Sequence, residues 1–576
     1  MGVSAAIFQS AGQRSEHYVP GAYSRSAAIG GAGTGGSANN GVILGRSRGG
    51  QPNKLFVFSS LPEAQETLVD GDLLKAVAHA FNPSPEYSPQ AIRAMVVNGN
   101  TQASTVLGAG NQPLLNLKTA SWGVLANSIT RQIVAGTKPG TKKVIFAAGE
   151  VTKEIDNIGK QSIKIQYTGS GTGANLTINS TGLTVTVAGG DPIVVTFEDC
   201  PTVEEVVARL NGLGEFAAIL LDDEANVPSS ELDHVSDKDI IAAAVTLTSN
   251  FYALYHALEN SLWIGKGNVE KVIGAPNMEP DNDDDPVFFD DASAGSFTVN
   301  DWNKALAALE LEKIQIISTH VTDHAVHTLI SNHTTKMSNV QNREERTAIL
   351  GGPIGETADA AIAFTKTLNN KLVSYCFPAI SAESPLTGSP EDLPASYFAC
   401  KLLGMECTVA VNEPLTWKNV SVLRFLTKLK IPEMEKLIAG GVLCGGITDD
   451  NRLAVIRAMT THQGAQLQLV ERSMVREDLY MNRDLRMQYS RGVGRPGTGK
   501  GSESTAKQVL YDAARNWKGD GLITQNDKGE NVWGIVVRIS GDKTYITFSR
   551  NLTAPQNFFF ITALNYVYES PTTVEI

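Results

Sequence analysis

With 576 residues, 42% of them hydrophobic and 19% charged, the chain is long enough for about two to four domains with cores of their own. A formal net charge of -12 without a basic stripe argues against nucleic acid as the main partner, and no apolar run approaches the ~20 residues of a membrane span. The 53 glycines follow no fixed period, which excludes a fibrous repeat, and no unit of ~20–50 residues recurs, which excludes a solenoid or propeller.

In chain order, residues 1–41 read as an extended N-terminal arm and linker. The first 21 residues have neither a basic n-region nor a long apolar stretch, so no signal peptide is expected. Tyr18-Val19-Pro20-Gly21-Ala22-Tyr23 has the character of an edge strand or turn, because proline cannot donate to a central ladder. Residues 30–41 (GGAGTGGSANNG) read as a flexible linker. So thin in apolar side chains, the arm is expected to stay mobile or to dock elsewhere. Residues 42–111 are expected to form the first α/β part of a core. Val42-Ile43-Leu44 is a short apolar strand, Leu73, Val77, Ala80 and Phe81 fall at helical spacing, and Ile92, Ala94 and Val96 alternate as a strand.

Residues 112–262 change character and read as an inserted, mostly β domain. Ile163, Ile165 and Tyr167 alternate, as do Leu183, Val185 and Val187, while Thr202-Val203-Glu204-Glu205 is a capping box that opens one helix. Ile240, Ala243, Ala244, Leu247 and Phe251 predict a second helix across residues 237–262. Residues 263–300 read as an acidic loop region. An α/β domain is expected over 301–461, a C-terminal core domain over 462–570 with helices near 476–489 and 504–517 followed by strands, and an extended tail over 571–576.

The chemistry-bearing motifs are weak. Residues 494–500 satisfy GxxxxGK, but Gly501 follows where a P-loop needs Ser or Thr, so a solvated loop is the better reading. His320, Asp323, His324 and His327 cluster, yet no Cys or Glu completes a tetrahedral zinc set, and Asp323 is a good helix N-cap. Asp281, Asp283, Asp284 and Asp285 hint at calcium, but Pro286 and Ala292 stand where an EF-hand needs Gly and Glu. No nucleophile motif is present, so no catalytic residue, metal or cofactor is expected. The five cysteines (Cys200, Cys376, Cys400, Cys407 and Cys444) are odd in number and lack a CxxC pair, as expected of buried, reduced thiols. Between Arg472 and Lys507 the chain turns basic, a candidate docking surface for an acidic partner or else a solvated helix face.

The order of several segments resembles the contractile tail sheath family of myophages. These are Val19-Pro20-Gly21-Ala22-Tyr23; the stretch from Ala120-Ser121-Trp122-Gly123 to Ile129, with Trp122 and Ala126 where the family has proline and glycine; Arg346-Thr347-Ala348-Ile349-Leu350-Gly351-Gly352-Pro353; Leu393-Pro394-Ala395-Ser396 followed by Pro414-Leu415; Met434 to Val442; Leu453 to Thr461; and Asp478-Leu479-Tyr480 through Leu485-Arg486. The resemblance covers most of the chain and is weakest over residues 130–300. It implies a multidomain α+β or α/β fold whose core is built from both chain ends, with a mostly β domain inserted and facing outward. It also implies a non-enzymatic virion protein, assembled in the host cytoplasm into stacked hexameric rings of itself. An inner tail tube protein and baseplate and tail terminator proteins would be its partners, with no nucleic acid and no membrane insertion. A baseplate or adhesin-type virion protein is the alternative. In this frame Val19, Pro20, Gly21 and Tyr23, with Thr572, Val574 and Ile576, are the expected subunit-linking strands. Residues 30–41 are the expected hinge, and Arg476, Arg483, Arg486 and Arg491 the expected tube contact.

Overall fold

A computed structural model of the protein describes residues 6–10, 13–17, 39–339, 341–490, 502–540 and 543–558. Val19, Pro20, Gly21, Tyr23, Thr572, Val574, Ile576, Arg491, the glycine-rich 494–500 stretch and the strand expected at 559–568 lie outside the described residues.

The core is an eight-stranded sheet made of β1 (Gly41–Gly45), β2 (Leu55–Phe58), β3 (Ile92–Val96), β4 (Ile316–Thr319), β5 (Thr347–Gly351), β6 (Val373–Phe377), β7 (Leu443–Ile447) and β8 (Leu453–Arg457). The spatial order is β8-β7-β6-β5-β4-β1-β3-β2, the inner strands parallel and β2 and β8 antiparallel at the edges. Every residue of β1, β4, β5 and β6 is buried, as strands covered on both faces require.

Because successive side chains point to opposite faces, the sheet feeds two cores. Ile43, Ala94, Ile316, Ile349 and Cys376 meet helix Leu61–Leu68, α1 (Asp72–Phe81) and α2 (Ala395–Glu406). Val42, Leu44, Ile317, Leu350 and Tyr375 meet helices Val299–Leu309, His324–Met337, Ala358–Leu368 and Ile431–Ala439. α2 is buried at all 12 of its residues. It lies so close to α1 that a β-carbon on Gly404 would overlap the carbonyl oxygen of Ala80. Gly404→Ala is therefore expected to cost about 1–3 kcal/mol through overpacking, read as a lower urea midpoint.

Between β3 and helix Val299–Leu309 the chain contributes no strand to the eight-stranded sheet, and this insertion includes the expected 112–262 stretch. Buried Asn98 staples its stem, donating to Ser47 O (3.0 Å) and Ala294 O (2.8 Å) and accepting from Ser47 N (2.9 Å). Asn100 donates to Gly49 O and Gly50 O, each at 3.1 Å. Gly123 closes the same stem with φ +88°, and a side chain there would strike the Arg48 carbonyl.

Two nested cores fill the insertion. The outer one packs Leu115, Leu117, Ile133 and Phe146 against Phe251, Leu254, Leu258 and Phe289. The inner one packs Ile163, Ile165, Leu176, Leu183 and Val185 against Val206 and Leu210 of the helix that Thr202 and Glu205 cap reciprocally. The acidic 263–300 region is part of the outer subdomain. Strand Val269–Lys271 pairs with strand Gln112–Trp122, while Asp283 pairs with Arg131 and accepts from Ile133 N at 2.7 Å. The helix expected across 237–262 is instead strands Val235–Asp239 and Val245–Thr248 followed by helix Asn250–Glu259. The β-branched run Val245-Thr246-Leu247-Thr248 finds a ladder partner in strand Gln161–Tyr167, and that tertiary pairing overrides the helical spacing.

The C-terminal part contains α3 (Arg472–Ser490), α4 (Ser502–Gly519) and a two-stranded sheet of Trp533–Ser540 with Lys543–Ser549. Tyr480, Met481, Leu510, Ala514, Trp517 and Val532 form its core, joined by Val411 from the loop after α2. At the other end of the chain, Ala6–Ser10 and Gln13–His17 pair with each other as an antiparallel hairpin, so that part of the arm is not a single extended strand. The last residue of the expected linker, Gly41, is a buried member of β1, with Cys407 and Leu403 packed where a side chain would go.

Candidate functional site

Among the described residues, buried charges gather where the first turn of α3 meets the sheet and α2. Arg472 and Glu406 have side chains 2% and 1% exposed. Arg472 Nε and Nη2 donate to the two Glu406 carboxylate oxygens at 2.7 and 2.8 Å, a two-pronged pair. Nη1 donates to Ala348 O and Ser374 Oγ at 3.1 Å each, and Nη2 also to Thr347 Oγ1 at 3.2 Å. All five guanidinium donors are thus used, which is how a charge can sit inside a sheet protein without a large desolvation penalty. Burial alone would raise the Glu406 pKa, but the Arg472 and Arg476 guanidiniums hold it below its ordinary value. Sequence reasoning counted Arg472 only as the start of a basic candidate docking surface and did not single out Glu406. The available signal was the presence of Lys401 and Glu406 in an otherwise apolar helix, since charges on a fully buried helix must find partners.

Of the expected tube-contact arginines, the three that are described, Arg476, Arg483 and Arg486, are not gathered on an exposed face. Arg476 is 5% exposed, its Nη1 lies 3.7 Å from Glu406 Oε1, and its Nη2 donates to Glu406 O (3.3 Å) and Asn39 Oδ1 (3.1 Å). Arg483 turns inward to Glu345, with Nε 3.7 Å from Oε2 and Nη2 donating to Glu345 O at 3.2 Å. Arg486 reaches the same carboxylate at 2.5 Å but keeps a side chain 38% exposed. Among the described cations of this stretch, Arg472, Arg476 and Arg483 lie on the buried side of α3, and their acidic partners Glu406 and Glu345 arrive from segments remote in sequence. In the same stretch Lys507 pairs with Glu503 one helical turn away.

The histidine cluster is structural in its geometry. Asp323 caps helix His324–Met337 by accepting from Ala325 N at 2.8 Å. His327 Nε2 donates to Val321 O at 2.7 Å, and His324 stacks on Phe364 at 3.7 Å between ring centres. Tyr375 donates to Glu356 at 2.8 Å, and burial pushes the Glu356 carboxyl up to about 7. Among the described residues no group of three or more His, Cys, Asp or Glu side chains is arranged to hold a metal ion. All five cysteines are free, and burial pushes the thiols of Cys400, Cys407 and Cys444 up to about 12, which keeps them protonated and unreactive.

A crevice opens at the carboxyl end of β1, next to the point between β1 and β4 where the strand order reverses and where α/β sheets commonly bind ligands. It has a volume of about 510 Å³ and lies between Arg46, Ser47, Arg48, Asp70 and Asp72 of the core and Val124, Leu125 and Ala294 of the insertion. Arg48 and Asp70 face each other there at 3.3 Å, so the crevice presents paired charge rather than a nucleophile beside a base. No helix among the described residues is long and apolar enough to cross a membrane.

No family model matches the chain. The tail sheath protein of Bacillus phage SP01 is 24% identical over 549 residues, covering 91% of this chain and 91% of that protein. The tail sheath protein of Staphylococcus phage Twort is 22% identical over 453 residues, or 72% of this chain and 74% of that protein. A solved sheath tail protein from Listeria innocua shares the fold with a TM-score of 0.57 at 10% identity, covering 90% of this chain and 93% of its own. One from Desulfitobacterium hafniense does so with a TM-score of 0.51 at 12% identity, covering 93% and 99%. The segments that resemble the family occupy demanding places in this fold: Arg346 is buried at the entry to β5, Gly123 closes the insertion stem, and the Leu453 to Thr461 stretch contains β8. The chain is thus similar to phage tail sheath proteins along nearly its whole length and shares the fold of solved sheath tail proteins.

Proposed function

We propose that this chain is the repeating subunit of a contractile phage tail sheath, polymerising into a helical tube around an inner tail tube and shortening to drive that tube through the host envelope. One observation carries this: the correspondence with a tail sheath protein along 91% of both chains. The role is structural. Its partners are further copies of itself, the inner tube, and the baseplate and terminator at the two ends, and its place is the virion tail after assembly in the host cytoplasm.

The physical chemistry supports such a role. A sheet buried on both faces and stapled to α3 by a buried ion pair suits a subunit that moves as a rigid body, with rotation taken up outside the core. The sheet Trp533–Ser540/Lys543–Ser549 has two strands among the described residues, and a sheet of that size is marginal on its own and gains from added strands. Strands around Val19, Pro20, Gly21 and Tyr23 and around Thr572, Val574 and Ile576 of neighbouring copies would complete sheets of this kind. Of the described arginines expected at the tube, Arg486 is the one with an exposed guanidinium to offer it.

Electron microscopy of the purified full chain tests the proposal: tubes are expected, and discrete particles under all assembly conditions would overturn it. Removing residues 1–23 is expected to leave folded, soluble monomers with an unchanged urea midpoint and to abolish tubes, because the eight-stranded sheet and its two cores are built from residues beyond 40.

A further inference from the structure

Residues 30–41 are rich enough in glycine to predict a free swivel between arm and core, but the last three of these residues are held from several directions. Asn39 uses both ends of its amide: Nδ2 donates to Val409 O and Oδ1 accepts from Arg476 Nη2, each at 3.1 Å. Asn40 donates from its backbone to Gln315 Oε1 at 3.1 Å and from Nδ2 to Lys313 O at 3.0 Å, and its carbonyl accepts from Gln315 N at 2.9 Å. Gly41 then enters the sheet opposite Ile316.

The contact with Arg476 differs in kind from the others. Asn40 and Gly41 are tied to the neighbouring strand, as any first residue of a parallel strand would be. Asn39 is tied to α3, 437 residues away in sequence. Arg476 is itself immobile, buried against Glu406, which Arg472 joins to Ala348 and Ser374 of β5 and β6. A pull on the chain at Asn39 is thereby shared between the sheet and the C-terminal part of the molecule instead of falling on β1 alone.

We propose that Asn39 and Arg476 form a clamp that sets the direction in which the N-terminal arm leaves the core, and that they are positioning residues for subunit linkage. This rests on the sheath reading above. An arm with a fixed exit reaches one neighbour in one register, whereas an arm that swivels pairs with open strand edges indiscriminately.

The test compares full-length wild type, Asn39→Ala and Asn39→Asp by amide exchange at residues 40–41, urea midpoint and the critical concentration for tube formation. Asn39→Asp keeps an acceptor for Arg476 and loses only the donor to Val409. Asn39→Ala is expected to exchange about tenfold faster at those amides, as the loss of a hydrogen bond to a charged group implies. Its urea midpoint should match wild type while its critical concentration rises several-fold, and Asn39→Asp should restore assembly. Wild-type tubes with unaltered assembly of Asn39→Ala would overturn the clamp alone. So would a lowered urea midpoint that Asn39→Asp does not rescue, since that marks a purely structural contact. Wild type remaining as discrete particles would overturn the sheath reading and the clamp's role with it.

Discussion

Arg472→Met is expected to destabilise the protein by on the order of 3–5 kcal/mol in chemical denaturation, among the largest effects available to a single substitution here. The substitution leaves the Glu406 carboxylate in the interior and strands the acceptors Thr347 Oγ1, Ala348 O and Ser374 Oγ. Arg476, 3.7 Å from Glu406 Oε1, supplies part of the missing charge, which places the expected loss toward the lower end of that range. Arg472→Lys should rescue little, because an ammonium is a point charge with three donors and cannot span two carboxylate oxygens and two strands at once. Replacing both members, Arg472→Met with Glu406→Met, should recover much of the lost stability, since the main cost is an unpaired buried charge rather than a lost attraction. A single variant as stable as wild type would show that the pair does not hold α3 to the sheet.

Stability is expected to fall steeply between about pH 6.5 and pH 4, because four histidines are folded in the neutral form. Burial pulls His79 down to about 3 and His320, His327 and His333 down to about 4. Two have geometry that demands neutrality: His320 Nε2 accepts from Arg46 N at 3.1 Å, and His333 Nε2 accepts from Arg346 Nη1 at 2.8 Å. The unfolded chain therefore binds more protons than the native one once pH drops below the ordinary histidine value, and stability is lost as pH falls toward the native values. Buried carboxyls whose pKa is raised act in the opposite sense, with Glu356 and Glu477 shifted furthest. Burial raises Glu356 to about 7 and Glu477 to about 9, so the native state holds protons there that an unfolded carboxyl has released, and their contribution declines as pH rises. At about pH 5.5 the four neutral histidines outweigh Glu356 and Glu477, so these groups together take up protons on unfolding there. Urea midpoints measured at about pH 7 and about pH 5 should differ accordingly. His79→Leu, which replaces a ring whose two nitrogens have no hydrogen-bond partner, should flatten the dependence by about one proton. Equal midpoints at the two pH values would refute the neutral-histidine interior.

Much of the α/β frame was legible because its signals are local. The run Val42-Ile43-Leu44, the alternation of Ile92, Ala94 and Val96, and the capping box at Thr202 each sit within a few residues, and each forms the expected element. Ordered motifs along the chain likewise pointed to the tail sheath proteins it resembles, since they need no knowledge of what touches what. The helix expected across 237–262 failed for the complementary reason: the same apolar spacing serves a strand once strand Gln161–Tyr167 lies beside it.

What the sequence determined by itself was therefore the type and order of local elements and the kinship of the chain. Tertiary structure alone decided which charges are inside. Arg472 and Glu406 are 66 residues apart, Asn39 and Arg476 are 437 apart, and nothing short-range distinguishes a guanidinium that will be buried from one that will face water. The same holds for the stem of the insertion, where Asn98 meets Ala294 across 196 residues. Desolvation acts on a side chain only through the atoms the completed fold brings around it, so the burial that makes these groups matter exists in the folded molecule and nowhere along the chain.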